Sequence, residues 1–329
     1  MLADKLRTRI RADGPMPFEE YMAACLYDDE YGFFTSGPLR SMKEGDFLTS
    51  PEVSPWFGRI LARFVAKEQE RIGADPFLVV EAAAGSGSLV RPLMEELGHV
   101  PPDEGRGDAD SRSEAAGGTA PPEAEESERS LPHGVGEMPG RAEGAEGGST
   151  AYEFHAVEAS PAAREALADL FGPDNVHVSL DDLPEHFNGV IIANELLDNL
   201  PCALAIRSGD GWVERWVGAT EDRFGFVTAP ARPEVVAWCD AFAGNVSEGG
   251  MVEVQLQAMG WISSALSHID RGSLVLFDYG GTAEELETRR TQGTLRTYRR
   301  HHLGPDPLLE PGATDVTVDV NFTPIQAAV

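Results

Sequence analysis

At 329 residues the chain is long enough for one large domain, or one domain with a cap, built on an ample core. Its charge is one-sided, with 55 acids against 26 bases and a formal net charge of −29, so its surface repels phosphate backbones and excludes nucleic acid as a partner. No apolar run approaches membrane-spanning length. Three scattered cysteines, Cys25, Cys202 and Cys239, make neither a zinc spacing nor a disulfide framework, and no other metal set is visible. With no continuous apolar core for a secretory signal at the N-terminus, these features predict a cytoplasmic protein.

Residues 1–75 read as a helical extension, with Leu2, Leu6 and Ile10 on one helical face. Within it, Gly45-Asp46-Phe-Leu-Thr49-Ser50 precedes Pro51, which biases Ser50 toward extended backbone. This reads as a lid whose Asp46 or Thr49 meets a cofactor; a cap for a helix near Pro55 is the alternative. Residues 76–100 open the core. A short apolar run ends in an acid, Glu81, followed by the small turn Ala83-Ala-Gly85-Ser-Gly87 and a helical stretch over 88–97. Glycines there let the backbone approach a ligand closely. A dinucleotide turn places its glycines under a pyrophosphate. Here the acid precedes the glycines, where it repels a pyrophosphate and suits a cation. S-adenosylmethionine carries a sulfonium, an α-ammonium and no phosphate, so the turn favours it over NAD.

Residues 101–150 hold no aromatic residue and only Leu131 and Val135 as branched apolars, with 12 acids and 4 bases, and are expected to be a disordered acidic insertion. With that stretch set aside, residues 151–206 continue the core. A β-run over 152–158 ends in Glu158, one βαβ step after Glu81, where an acid accepts hydrogen bonds from both ribose hydroxyls. A third run, 176–179, brings Ser179 and the Leu180 backbone to the adenine end. A fourth, 189–193, leads into Asn194-Glu195-Leu-Leu-Asp198, where Asn194 holds the loop beside the cofactor and a helical turn would place Glu195 and Asp198 on one face. Residues 207–265 read as an inserted cap of hairpins and helix. Its β-runs 202–207, 211–217 and 224–228 are split by Gly209-Asp-Gly211 and Asp222-Arg223. Trp212 and Trp216 are spaced to share a face, as core or as a substrate groove. Residues 266–329 supply a last core strand over 273–280. Strands alternating with helices predict an α/β fold with a doubly wound, mostly parallel sheet.

Several strings occur in a fixed order along the chain. They include Leu26-Tyr-Asp-Asp-Glu-Tyr-Gly-Phe-Phe34, Gly45-Asp-Phe-Leu-Thr-Ser-Pro-Glu-Val-Ser54, Glu158-Ala-Ser-Pro161, Asn194-Glu-Leu-Leu-Asp-Asn-Leu-Pro201, Phe277-Asp-Tyr-Gly280 and Gly293-Thr-Leu-Arg-Thr-Tyr-Arg-Arg-His301. Together they resemble the MidA family of S-adenosylmethionine-dependent methyltransferases, related to a mitochondrial complex I assembly factor, over nearly the whole chain apart from 101–150. The resemblance implies a class I (Rossmann-like) methyltransferase fold with a helical N-terminal extension. It also implies methylation, by symmetric dimethylation, of arginine in a protein substrate such as a respiratory-complex subunit. Added to the reading of the residues, it gives a cofactor set of Asp46, Thr49, Glu81, Ala83, Gly85, Gly87, Glu158, Ser179, Leu180 and Asn194. Three departures stand out. Ala83 occupies a position where the family carries glycine, and its methyl group would crowd the methionine part of the cofactor. The acidic insertion is not a family feature. The chain stops at Val329, where family members continue, which is expected to leave a sheet edge unpaired.

A guanidinium is protonated at neutral pH and is best held by carboxylates that bind it bidentately. Glu195 and Asp198 are the catalytic candidates; capping a following helix is the alternative. Asp278 and Tyr279 are expected in the acceptor channel or as a satisfied core pair. Arg296, Arg299, Arg300, His301 and His302 form a basic cluster, expected to pair with nearby acids or to dock an acidic substrate surface. A binding protein that keeps the fold without catalysis, and a small-molecule methyltransferase, are the competing readings.

Overall fold

A computed structural model describes residues 1–36, 54–99, 151–299 and 302–328. Asp46, Thr49 and the 101–150 insertion lie outside the described residues. Helix α1 (Leu2–Asp13) turns Leu2, Leu6 and Ile10 inward, β1 (Met16–Pro17) follows, and α2 (Phe18–Tyr27) buries Phe18, Tyr21, Met22, Cys25 and Leu26. Helix α3 (Trp56–Ile72) stops at Gly73, whose φ of +69° suits a residue without a Cβ. Then β2 (Phe77–Ala82), α4 (Val90–Glu96), β3 (Tyr152–Val157), α5 (Pro161–Phe171), β4 (Val176–His177) and β5 (Phe187–Asn194) alternate. Ser160 caps α5, its Oγ accepting the Ala163 amide at 3.4 Å, with Pro161 in the first helical position. Next come β6 (Ala203–Ser208), β7 (Gly211–Ala219), β8 (Phe224–Pro230), α6 (Pro233–Phe242), β9 (Met251–Val254), α7 (Leu256–His268) and β10 (Ile269–Phe277). The chain continues through β11 (Gly280–Gly281), α8 (Ala283–Leu286), β12 (Arg296–Arg299), β13 (His302–Leu303), β14 (Asp315–Thr317), β15 (Val320–Asn321) and α9 (Phe322–Ala328).

The core sheet is parallel throughout and runs β4-β3-β2-β5-β10, which is 3-2-1-4-5 in the order the chain meets its strands. The expected doubly wound α/β sheet is therefore present. Its order reverses between β2 and β5, and a ligand crevice belongs at the carboxyl ends of those strands. Every residue of β2 is buried. Phe77 and Val79 pack with Leu61, Val65, Leu93 and Leu167 on one face, while Leu78 and Val80 pack with Ala265 and Leu183 on the other. Burial on both faces explains why this strand is a continuous apolar run rather than an alternating one.

The expected hairpins form a second, antiparallel sheet, in which β6 pairs β7 and β9, and β7 also pairs β8 and β1. Helices α1 and α2 dock on this inserted sheet rather than on the core sheet, through Leu204, Val217 and Phe224. Trp212 belongs to the core, its Nε1 donating to Asp240 Oδ1 at 2.9 Å. Strand β10 is the outer strand of the core sheet among the described residues.

The first turn of α3 approaches α4 closely at Gly58. A methyl group there would stand 2.4 Å from Leu89 O and 2.7 Å from Pro92 Cγ. Gly58→Ala should lower stability by about 1–3 kcal/mol through overpacking against backbone. A urea unfolding midpoint equal to wild type would show that the two helices separate without cost.

Candidate active site

The turn after β2 is made of left-handed residues: φ is +56° at Ala83, +54° at Gly85 and +74° at Gly87. The Ala83 amide donates to Val157 O and the Gly87 amide to Ala84 O, each at 2.8 Å, which tie the turn to the end of β3 and close it on itself. A residue with a Cβ pays about 1–2 kcal/mol to stay left-handed. The expected consequence of Ala83 was crowding of the cofactor; the structure adds backbone strain at the same position. Gly87 serves a different purpose from the one expected of it. A Cβ there would meet Leu170 Cδ2 at 2.9 Å and Leu167 Cδ2 at 3.1 Å, so its lack of a side chain lets α5 close on the turn, and it does not line the cavity described below.

Two acids follow the first two core strands. Glu158 Oε2 accepts the Gly85 amide at 2.9 Å and Oε1 accepts the Ser160 amide at 2.8 Å, so backbone fixes the carboxylate in one orientation. Burial nevertheless raises its pKa, with those two amides opposing the shift. Glu81 is only 5% exposed, and its Oε2 is buried with no hydrogen-bond partner. Burial, and secondly the charge of Glu158, hold its carboxyl well above the ordinary value of 4.5. A buried carboxyl with one oxygen unpartnered, beside another acid, fits a cationic group and repels an anionic one.

Both acids line one cavity of about 1170 Å³, which also takes in Ala83, Gly85, Ser179, Leu180, Asn194, Glu195 and Asp198. Of the expected cofactor set, all but Gly87 and the two residues outside the described segments therefore meet in one place. The Ser179 end is braced by Asp182, whose Oδ2 accepts the amides of Val178 and Ser179 at 3.1 and 3.0 Å. Beneath it His155 Nδ1 lies 2.9 Å from His177 Nε2 with the rings stacked, and burial pushes His155 down to about 4, so that histidine stays neutral at neutral pH.

Glu195 and Asp198 share the cavity but not a helix face. Glu195 has a φ of +53°, which ends β5 and breaks any helical continuation, and only the short 3-10 turn Leu197–Asn199 follows. The i,i+3 argument is thus corrected: the two residues reach one cavity across a kink rather than along a helix face. Asp198 Oδ2 accepts Thr317 Oγ1 at 2.6 Å, its Oδ1 is buried without a partner, and burial pushes the carboxyl up to about 6. Tyr279 lines the cavity, whereas Asp278 stands behind it. In the basic cluster Arg296 pairs with Asp319 and Arg299 with Glu310, the acid-pairing alternative; Arg300 and His301 lie outside the described residues. The sequence reading missed Tyr27, Phe34, Trp261, Arg289, Arg296, Tyr298, Thr317 and Asp319 as lining residues. Of these, Tyr27 and Phe34 left a signal in the Leu26-to-Phe34 string, and Arg296 and Tyr298 in the Gly293-to-His301 string.

A 3-2-1-4-5 parallel sheet with an acid at the end of each of its first two strands, closing on one cavity, defines a class I methyltransferase fold. Residues 145–329, more than half of the chain, match the model of a family of S-adenosyl-L-methionine-dependent methyltransferases, and the chain belongs to that family. It is 26% identical to the Drosophila melanogaster protein arginine methyltransferase NDUFAF7 homolog, mitochondrial, over 98% of this chain and 68% of that one. The human protein arginine methyltransferase NDUFAF7, mitochondrial, is 26% identical over 97% of this chain and 66% of its own length. The crystal structure of a COG1565 superfamily member from Burkholderia thailandensis, bound to S-adenosyl-homocysteine, superposes with a TM-score of 0.74 at 28% identity, over 99% of this chain and 75% of that one. The chain is an S-adenosylmethionine-dependent methyltransferase, and the NAD reading falls. The cytoplasmic expectation does not stand, because these relatives are named mitochondrial. Free, scattered cysteines report a reducing environment, which is not peculiar to the cytoplasm.

Two outcomes follow from the turn and its acid. Ala83→Gly should raise stability by about 0.5–1 kcal/mol, the left-handed strain less the extra chain entropy of glycine, as read from the unfolding midpoint. For Glu81 the folded pKa lies above the unfolded one, so the folded state loses stability as pH rises past the ordinary value of 4.5. Ligand-free Glu81→Gln should therefore melt above wild type at neutral pH and together with it at roughly pH 4, where both side chains are uncharged. A lower melting temperature at neutral pH would mean that Glu81 is ionised and paired in the folded protein.

Proposed function

We propose that this methyltransferase acts on the guanidinium of an arginine in a protein substrate. The observation that carries this reading is the pair Glu195 and Asp198 in the same cavity as Glu81 and Glu158, with Asp198 Oδ1 buried and unpartnered. A cationic planar group supplies a donor for that oxygen. The names of the relatives, protein arginine methyltransferases, support the same acceptor.

In this reading Glu158 accepts the ribose hydroxyls, while Ser179 and the Leu180 backbone meet the adenine. Glu81 and the Ala83-to-Gly85 backbone face the methionine part, and Asn194 closes the loop beside it. When bound, S-adenosylmethionine supplies a methyl group on a positively charged sulfur. The chain's own residues orient the acceptor nitrogen toward that methyl. Glu195 and Asp198 hold the guanidinium and spread its charge. Asp198 Oδ1 takes the proton that leaves the nitrogen, and its value of about 6 suits a base working near neutral pH.

Glu158→Ala should weaken S-adenosylmethionine binding by about 1.5–3 kcal/mol, the cost of losing charge-assisted hydrogen bonds. Calorimetric titration showing unchanged affinity in a folded variant would remove Glu158 from the site. Glu195→Gln keeps shape but not charge. It should bind S-adenosylmethionine normally while transfer falls at least ~100-fold, the scale for removing one preorganised electrostatic contact. The measurement is tritiated methyl transfer into an extract lacking the native enzyme, followed by mass spectrometry of the labelled product. Label on lysine or on a small molecule would sink the arginine assignment.

A further inference from the structure

Asp278 does not line the cavity, yet three backbone amides converge on its carboxyl. Its Oδ2 accepts the amides of Leu197 at 2.8 Å and Asp198 at 3.3 Å, and its Oδ1 accepts that of Tyr279 at 2.8 Å. The reason lies where two strands part. Strands β5 and β10 are in register up to Asn194 beside Phe277, and the last contact of that seam is the Glu195 amide on Phe277 O at 2.8 Å. The left-handed Glu195 then swings the chain off the ladder. The amides of Leu197 and Asp198 open a 3-10 turn and have no acceptor within it, as at any helix start. The side chain from the neighbouring strand takes the place of an N-cap.

The same turn is held from its far side. Thr317 Oγ1 donates to Asp198 Oδ2 at 2.6 Å and the Val318 amide to Asp198 O at 3.1 Å. Asp198 is therefore clamped between β10 on one side and β14 with its continuation on the other. That leaves Oδ1 as the one side-chain oxygen without a partner. Burial, and secondly the charge of Asp198, push Asp278 up to about 8, so the two acids cannot both ionise freely at neutral pH. The other charged or titratable groups around them include Glu195, Tyr279, Arg296 and Tyr298 of β12, and Tyr27 of α2.

We propose that Asp278 is a positioning residue for methyl transfer, acting through Asp198 by holding the turn that aims its carboxylate into the cavity. The proposal rests on the reading of Asp198 as the acceptor-side carboxylate. The geometry makes an asymmetric demand. The carbonyl oxygen of asparagine can take over the Leu197 and Asp198 amides, whereas its NH₂ group cannot accept from Tyr279. Alanine replaces none of the three contacts.

The test compares Asp278→Ala, Asp278→Asn, Asp198→Asn and the double variant Asp198→Asn/Asp278→Ala in the full chain. Calorimetric affinity for S-adenosylmethionine, melting temperature and the initial rate of tritiated methyl transfer into the extract are measured for each. Asp278→Ala is expected to lose at least tenfold in transfer with cofactor affinity within about twofold of wild type. Asp278→Asn should recover transfer to within about threefold, and the double variant should be no slower than Asp198→Asn, since nothing remains to be positioned. Losses that multiply in the double variant, wild-type transfer by Asp278→Ala, or a matching loss of cofactor affinity would each overturn the proposal. Wild-type transfer by Asp198→Asn would remove the acceptor-side reading itself, and this inference with it. Should the alanine variant fail to fold, the pH profile of Asp278→Asn decides. A wild-type inflection near 8 that vanishes in the asparagine variant supports the assignment, and identical profiles overturn it.

Discussion

The burial of β2 on both faces is the constraint on which the rest depends. A strand at the centre of a parallel sheet has no wet side, so its carboxyl end delivers whatever follows it into a dry, level rim. Glu81 shares that burial, next to Ala156 on one neighbouring strand and Ile192 on the other. Its charge is then costly in the ligand-free protein, and the cost is what a cationic ligand relieves. The same core that stabilises the fold keeps this acid in the state that a bound cation would reverse.

Two non-glycine residues take left-handed backbone among the described residues, Ala83 and Glu195, and both line the cavity. They stand at equivalent points, just past the carboxyl ends of β2 and β5, on either side of the place where strand order reverses. Strain gathers there because each chain must leave the sheet abruptly to open a crevice between them. At Ala83 a glycine would do the same with less strain. At Glu195 the side chain itself is wanted in the cavity, so the strain belongs to the site.

How much of this was legible in the sequence follows from the range of the interactions. The turn after β2, the acid after β3 and the hairpins of the inserted sheet are each written in a few adjacent residues, and each was found close to its true bounds. Gly87 was placed in the right turn and given the wrong task, because its neighbour across the fold, α5, lies some eighty residues on. The Glu195 and Asp198 spacing suggested a shared helix face where the chain kinks instead; a positive φ at a glutamate leaves no mark in composition or periodicity. Strand β9 and helix α6 were passed over inside a region read mainly by its turns. Compartment was misread because free thiols exclude an oxidising environment and distinguish little within the reducing ones.

The two ends of the cavity are held in different ways, and the difference tells how each depends on the fold. Glu158 is fixed by the amides of Gly85 and Ser160, both part of strand-to-helix turns in the core. Asp198 is fixed by Asp278, Thr317 and Val318, drawn from strands up to 120 residues away along the chain. Backbone amides tolerate substitution of their side chains, so the cofactor end is robust to sequence change around it. The Asp198 end depends also on two side chains, those of Asp278 and Thr317, each replaceable by a single substitution. A cavity built this way can change shape at its Asp198 end, through β14 and the turn after β5, while its Glu158 end stays as it is.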